Sequence, residues 1–185
     1  MEERIIIAGF GGQGVMAMGQ LLTYSGMLEE KYVSWLPSYG PEMRGGTANC
    51  NVIISTDSIG SPVVVEATTA LVLNKPSLDK FEKSVVPGGR LFINSSLIDR
   101  KSNRDDIDVY YIPANEIAGE LGNNRVANMV MLGAYLEAMK TVDVESIYKA
   151  FPEVFGAGKA HLLPINKEAL IKGAEAAREQ ITVRV

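Results

Sequence analysis

Ile5-Ile6-Ile7-Ala8-Gly9-Phe10-Gly11-Gly12-Gln13-Gly14 is an apolar run that passes at once into glycine. The run predicts a buried strand over Ile5–Ala8. Val15 to Leu28 then reads as a helix, with Val15, Met18, Leu22 and Ser25 on one face. Gly9, Gly11 and Gly14 fit G-x-G-x-x-G in the strand–turn–helix context that gives that spacing meaning. Such a loop lets a phosphate approach the backbone, with N–H groups at a helix N-terminus. The chain that follows sets the fold class. Tyr32–Leu36 is a short second strand, and residues 37 to 46 form a loop. Thr47–Ser55 alternates, with Ala48, Cys50, Val52 and Ile54 on one side and Thr47, Asn49, Asn51 and Ser55 on the other. Period two predicts a half-exposed strand with antiparallel partners.

Beyond it, strands are predicted at Ala70–Leu73, Leu91–Asn94 and Val109–Ile112, with a turn at Pro87-Gly88-Gly89. Helices are predicted at Ser77–Ser84 (capped by Ser77), Ala114–Leu121, Val126–Met139, Asp143–Ala150 and Lys167–Gln180 (capped by Asn166). Val126–Met139 is apolar around its circumference, the mark of a buried helix. Strands alternating with helices predict one α/β domain over residues 1–185, a three-layer αβα sandwich around a mixed, mainly parallel sheet.

Charge and composition exclude several functions. The net charge of −4 over 185 residues argues against nucleic-acid binding. Arg100, Lys101 and Arg104 are diluted by Asp99, Asp105, Asp106 and Asp108. With one cysteine and one histidine, the chain holds neither a disulfide framework nor a cysteine-ligated iron–sulfur cluster. Cys50 reads as an inert buried thiol and His161 as structural. No signal peptide or membrane-length apolar run is read from the sequence, so a cytoplasmic location is expected.

A second glycine-rich stretch is Ser38-Tyr39-Gly40-Pro41-Glu42-Met43-Arg44-Gly45-Gly46. Glycines beside Arg44 clear space for its planar guanidinium to meet a carboxylate or phosphate. A solvated charge, or a loop-bracing pair of Glu42 with Arg44, is the plainer alternative. The candidate site is therefore Gly9, Gly11, Gly12, Gln13 and Gly14 with Tyr39, Gly40, Glu42, Arg44, Gly45 and Gly46. Tyr39, Glu42 and Arg44 are expected to converge beside Gly11-Gly12-Gln13 at the carboxyl end of the first strand. A dinucleotide there would need an acid at the end of the second strand, where Trp35-Leu36-Pro37-Ser38 stands instead. A tight turn with no ligand, a phosphate-bearing ligand and a partner subunit remain as readings of the loop.

Gly9-Phe-Gly-Gly-Gln-Gly14 and Tyr39-Gly-Pro-Glu-Met-Arg-Gly-Gly46 resemble the two glycine motifs of the gamma subunit of 2-oxoacid:ferredoxin oxidoreductases. Ile59-Gly-Ser-Pro62, Leu73-Asn74, Pro87-Gly-Gly89, Asn94-Ser-Ser96 and Asn128 through Gly133 extend the likeness over nearly the whole chain. The form Gly-Pro-Glu-Met-Arg-Gly-Gly-Thr-Ala-Asn-Cys looks most like the 2-oxoglutarate branch, with the branched-chain 2-oxoacid branch next. Thr68-Thr69 stand where the family often has an Asp. The resemblance implies oxidative decarboxylation of a 2-oxoacid, with coenzyme A as acyl acceptor and ferredoxin as electron acceptor. It places thiamine diphosphate, Mg and iron–sulfur clusters in partner subunits. The implied partners are alpha, beta and delta subunits, with ferredoxin reached through the complex; a homo-oligomer of the isolated chain is a further expectation. This chain alone is then catalytically silent, with no catalytic or metal-binding residue of its own. The alternative is an independent nucleotide-binding Rossmann-like module.

Overall fold

A computed structural model describes residues 1–39 and 47–183. Twelve regular elements follow in order among them. They are β1 (Glu2–Phe10), α1 (Val15–Leu28), β2 (Tyr32–Tyr39), β3 (Thr47–Ser55), β4 (Ala67–Val72), α2 (Lys75–Phe81), β5 (Val85–Asn94), β6 (Asp108–Ile112), α3 (Ala114–Glu120), α4 (Ala127–Met139), α5 (Val144–Phe155) and α6 (Leu163–Val183). Short 3-10 turns punctuate them. No helix of the described residues is long and apolar enough to cross a membrane.

One six-stranded sheet runs β2-β3-β1-β4-β5-β6. β1, β4, β5 and β6 pair in parallel, and β3 lies antiparallel between β1 and β2. The reversal follows from chain length. A parallel return needs a crossover of about a dozen residues or more, and the link from Tyr39 to Thr47 is shorter. The expected mixed, mainly parallel sheet is thus present.

Its two faces are covered unequally. Ile5, Ile7, Cys50, Val52, Ile54, Leu71, Phe92 and Ile112 pack under α1, α3, α4, α5 and α6. The opposite face, with Ile6, Ala8, Ile53, Ala70, Val72, Leu91 and Ile93, is covered by α2 through Leu78 and by Ile59, Val64 and Ile98 of the connections. Ile53 and Ser55 are therefore buried too, so the half-exposed character of β3 is confined to Thr47–Asn51.

Several expected boundaries are corrected. β2 continues through Pro37 to Tyr39, which an edge strand tolerates because the missing N–H is not needed by a second neighbour. Asn74, not Ser77, caps α2; its Oδ1 accepts the Ser77 N–H at 2.9 Å. Pro87-Gly88-Gly89 lies within β5 as an irregularity, with Gly88 at φ 77°. α5 runs on past Ala150 with Pro152 inside it. α6 begins at Leu163, so Asn166 is a helical residue whose amide donates to the Leu162 carbonyl. β6, the other sheet edge, is blocked: Gln180 of α6 accepts the Tyr111 N–H at 2.9 Å and donates to the Tyr111 carbonyl at 2.6 Å.

Thr69 Oγ1 donates to Glu3 Oε1 at 2.5 Å, with Glu3 only 7 % exposed between β1 and β4. Desolvation pushes the Glu3 carboxyl above its usual range, against the opposing pull of Thr69, Thr68, Arg90 and Arg4. A carboxyl raised in the folded state opposes folding when ionised, and that cost vanishes below its unfolded pKa of about 4.3. Glu3→Gln is therefore expected to raise the melting temperature at pH 7 and to leave it unchanged near pH 4. An equal difference at both pH values would show that ionisation of Glu3 is not what matters.

Candidate functional site

The carboxyl ends of β1, β4, β5 and β6 share one edge of the sheet. β1 leads into α1 on one face, whereas its neighbour β4 leads into α2 on the other. Adjacent strands whose connections leave on opposite faces open a crevice between their ends, where ligands of open α/β sheets bind. The glycine loop forms one wall of it.

Gln13 of the loop ties it to its surroundings. Gln13 Oε1 accepts the Phe10 N–H at 2.6 Å, and its Nε2 donates to the Leu73 carbonyl at 3.3 Å. Asn74 Nδ2 donates to the same Oε1 at 3.4 Å, and the Gln13 N–H closes a turn onto the Phe10 carbonyl at 3.1 Å. Gln13 thus ties the end of β1 to the end of β4.

The glycines divide by what surrounds them. A Cβ on Gly9 would stand 2.7 Å from Gln13 Oε1 and 3.1 Å from Leu73 Cβ, so Gly9 is required for packing. Gly14 precedes α1 at φ 78°, and a Cβ there would run into the Asn128 side chain, whose Nδ2 donates to the Gly14 carbonyl at 3.5 Å. Gly12, at φ 93°, has nothing within 4 Å of its Cβ position among the described residues, and Gly11 and Phe10 beside it are exposed. Gly11 and Gly12 form the outward lip.

Gly40, Glu42, Arg44, Gly45 and Gly46 lie outside the described residues. Their flanks are placed: Thr47 stands opposite Phe10, and Tyr39 opposite Ala48. The carboxyl-terminal flank of the second motif thus lies beside the end of β1, and its amino-terminal flank one strand further out.

Asn74, Asn94 and Asn128 were not foreseen as site residues. Asn94, 1 % exposed at the end of β5, donates to Asn115 Oδ1 at 2.8 Å while its own Oδ1 is unpartnered. For Asn74 and Asn94, an asparagine closing a buried strand run was the available signal, since it caps or braces the following turn; Asn128, inside α4, carried none. The side chains that this part of the crevice supplies are neutral amides, suited to positioning and poorly suited to proton transfer at neutral pH.

Cys50 is fully buried under α1, and desolvation pushes its thiol up to about 12. Such a group does not fit a cluster ligand, which must be a thiolate. His161 is exposed on a 3-10 turn over Ala157–Leu162, so its expected structural role finds no buried setting. The dinucleotide arrangement also fails on topology: β3 intervenes between β1 and β2, so the end of β2 is not the strand end next to the loop. A separate groove of about 360 Å³ between α4, α5 and α6 includes Leu136, Glu137, Tyr148, Ile171 and Arg178 and none of the candidate residues.

Comparison with known proteins adds the following. Residues 4–176 match the family described as pyruvate ferredoxin/flavodoxin oxidoreductase. The chain is 42 % identical over 181 residues to ketoisovalerate oxidoreductase subunit VorA of Methanothermobacter thermautotrophicus, covering 97 % of this chain and 37 % of VorA. It is 34 % identical over 182 residues to 2-oxoglutarate synthase subunit KorC of Methanocaldococcus jannaschii, covering 97 % of this chain and 96 % of KorC. The solved 2-oxoglutarate:ferredoxin oxidoreductase of Magnetococcus marinus, which holds 2-oxoglutarate, coenzyme A and succinyl-CoA, superposes with a TM-score of 0.87 at 22 % identity. That superposition covers 96 % of this chain and 31 % of the other, and at this identity it speaks for the fold. The chain thus spans little more than a third of VorA and nearly all of KorC.

Proposed function

The chain belongs to the pyruvate ferredoxin/flavodoxin oxidoreductase family, and from that premise we propose that it is the gamma-type subunit of a 2-oxoacid:ferredoxin oxidoreductase. The complex would decarboxylate a 2-oxoacid oxidatively, with coenzyme A as acyl acceptor and ferredoxin as electron acceptor. This chain would contribute a positioning surface and no reacting group. The observation that carries the reading is the crevice beside β1, walled by neutral amides and by an exposed glycine lip in which the Gly12 Cβ position is open among the described residues.

Thiamine diphosphate with Mg and the iron–sulfur clusters would be held by the partner subunits, the alpha, beta and delta chains of the complex. The buried, protonated Cys50 gives this chain no means of holding a cluster. A cytoplasmic location fits this assignment. For the substrate, the higher identity to VorA supports a branched-chain 2-oxoacid, and the end-to-end match to KorC supports 2-oxoglutarate. The second motif would complete the site, with Tyr39, Glu42 and Arg44 beside the glycine lip and Arg44 meeting an anionic group of coenzyme A, substrate or partner.

The purified chain alone should not reduce an artificial electron acceptor when given 2-oxoacid and coenzyme A, and activity should appear on reconstitution with the partner subunits. In that complex Arg44→Ala should lose a charge-assisted contact of about 2 kcal/mol, roughly a thirtyfold weaker apparent affinity for the ligand it meets. Arg44→Lys keeps the charge but not the fork, and should be defective too. Turnover by the lone chain would end the subunit reading. Unchanged kinetics in both Arg44 variants would remove Arg44 from the site.

A further inference from the structure

The parallel ladder between β1 and β4 ends on a side chain. The Leu73 N–H donates to the Ala8 carbonyl at 2.9 Å. In a parallel pair, a residue whose N–H reaches one position of its neighbour takes on its carbonyl the N–H from two positions further on. The next rung would therefore join the Phe10 N–H directly to the Leu73 carbonyl. The Gln13 amide bridges those two groups instead. Its Oε1 accepts the Phe10 N–H at 2.6 Å, and its Nε2 donates to the Leu73 carbonyl at 3.3 Å. Gln180 does the same at Tyr111, where it closes the outer edge of β6. Between β1 and β4 the amide lies between two strands and holds their ends apart.

Strands that simply parted here would leave a main-chain donor and acceptor bare, which costs free energy. One amide answers both, with an acceptor at one atom and a donor at the other. The neighbouring residues are fitted to it. A Cβ on Gly9 would stand 2.7 Å from Gln13 Oε1, so glycine at this position leaves room for the amide. Asn74 Nδ2 donates to the same Oε1 at 3.4 Å, while Asn74 Oδ1 holds the Ser77 N–H at the start of α2. The Gln13 N–H returns to the Phe10 carbonyl at 3.1 Å, which fixes the turn of the loop. Oε1 thus takes two donors and Nε2 one acceptor, so most of the amide's bonding capacity is spent within the chain. Little remains for a ligand, although Gln13 was expected to meet one beside Gly11 and Gly12.

We propose that Gln13 is the positioning residue of this site: its amide replaces the terminal rung between β1 and β4 and so sets the width of the crevice between the glycine lip and the end of β4. The inference rests on the subunit reading above and gives Gln13 a part in it other than ligand contact. Without the amide, the Phe10 N–H and the Leu73 carbonyl are free to pair directly, and the strand ends close on one another. Gly11 and Gly12 then move with the end of β1, because the loop turns on Gln13.

The test compares Gln13→Ala and Gln13→Glu with wild type, as the free chain and in the complex reconstituted with its partner subunits. A crystal structure of free Gln13→Ala should show a direct hydrogen bond of about 2.9 Å from the Phe10 N–H to the Leu73 carbonyl. Gln13→Glu keeps the size and still accepts from Phe10, but a carboxylate has no proton to give Leu73. In the complex both variants should lose roughly tenfold or more in kcat, with little change in the apparent KM for 2-oxoacid and coenzyme A. Turnover of Gln13→Glu should recover relative to wild type as the pH falls through its carboxyl titration, because the protonated carboxyl can donate to Leu73; Gln13→Ala should not recover. Among the described residues the amide's bonding partners, Phe10, Leu73 and Asn74, carry no ionisable side chain. Wild-type kcat in both variants, or strand ends unmoved in Gln13→Ala, would overturn the proposal and leave the subunit reading intact. So would a raised KM at unchanged kcat, which would make Gln13 a ligand contact, or a loss of turnover that only follows a lower melting temperature of the free chain. An inactive wild-type complex would overturn the subunit reading, and the crystal structure would still decide the spacing.

Discussion

Gly133→Val is expected to destabilise the chain by about 3 kcal/mol, the upper end for an overpacked core, and to lower its melting temperature by roughly 6–12 °C. A Cβ on Gly133 would stand within the Leu170 backbone of α6. Reciprocally, a Cβ on Gly173 would meet the Val130 carbonyl and stand 3.0 Å from the Ala134 nitrogen of α4. These obstacles are backbone atoms and cannot rotate aside, so α4 and α6 must separate. Their contact also buries Val130, Ala134, Ala169, Leu170 and Ala177. Even Gly133→Ala should be destabilising, because the methyl meets backbone before the helix-propensity gain of about 1 kcal/mol takes effect. Gly60→Ala is the control: its Cβ position is open, and a surface change of that kind stays within about 0.5 kcal/mol. Equal melting temperatures for Gly133→Val and Gly60→Ala, measured by circular dichroism, would mean that the helices do not approach as closely as described.

This helix crossing also marks where reading the sequence stops. α1 and β3 could be bounded to the residue because each carries its own punctuation, glycines before α1 and an alternating run for β3. α4 is buried along Ala127–Leu136, as its all-round apolar sequence predicts. The roles of Gly133 and Gly173 depend on residues some 40 positions away, and no local pattern shows them. The same limit applies to the strand order. That β3 would insert between β1 and β2 is a tertiary fact, and it is what separates this crevice from a dinucleotide site. Local rules misled where tertiary structure competed. Ser77 is a good cap, but Asn74 at the strand end is better placed. Pro87-Gly88-Gly89 is turn-like, yet pairing with β4 on both sides absorbs it into β5. Within the site, the glycine spacing located the crevice. It could not say that Gly9 and Gly14 serve packing while Gly12 faces outward, because the groups that decide this are Leu73, just after β4, and Asn128 of α4.

That division makes the glycine loop a sharp test of the proposed function. Gly12→Val should cost the isolated chain little beyond the positive-φ strain, about 1–2 kcal/mol, because nothing among the described residues stands within 4 Å of its Cβ position. In the assembled enzyme the added isopropyl group would stand between the loop and whatever closes on it. A misplacement of about 1 Å in a reacting site costs on the order of a hundredfold in rate, and a loss of about that size is expected in the activity of the reconstituted complex. Gly14→Val should behave in the opposite way. Its side chain pays the same strain and also displaces Asn128. Stability of the lone chain should then fall well below that of Gly12→Val, and loss of activity should follow loss of fold. Gly14→Ala with Asn128→Gly removes the clash and should recover part of the melting temperature, whereas Asn128→Gly should not rescue the activity of Gly12→Val. The two measurements are thermal unfolding of the free chain and turnover of the complex at matched subunit concentration. If Gly12→Val assembles and turns over like the parent, the outward lip touches neither ligand nor partner, and the glycines serve only to turn the chain from β1 into α1.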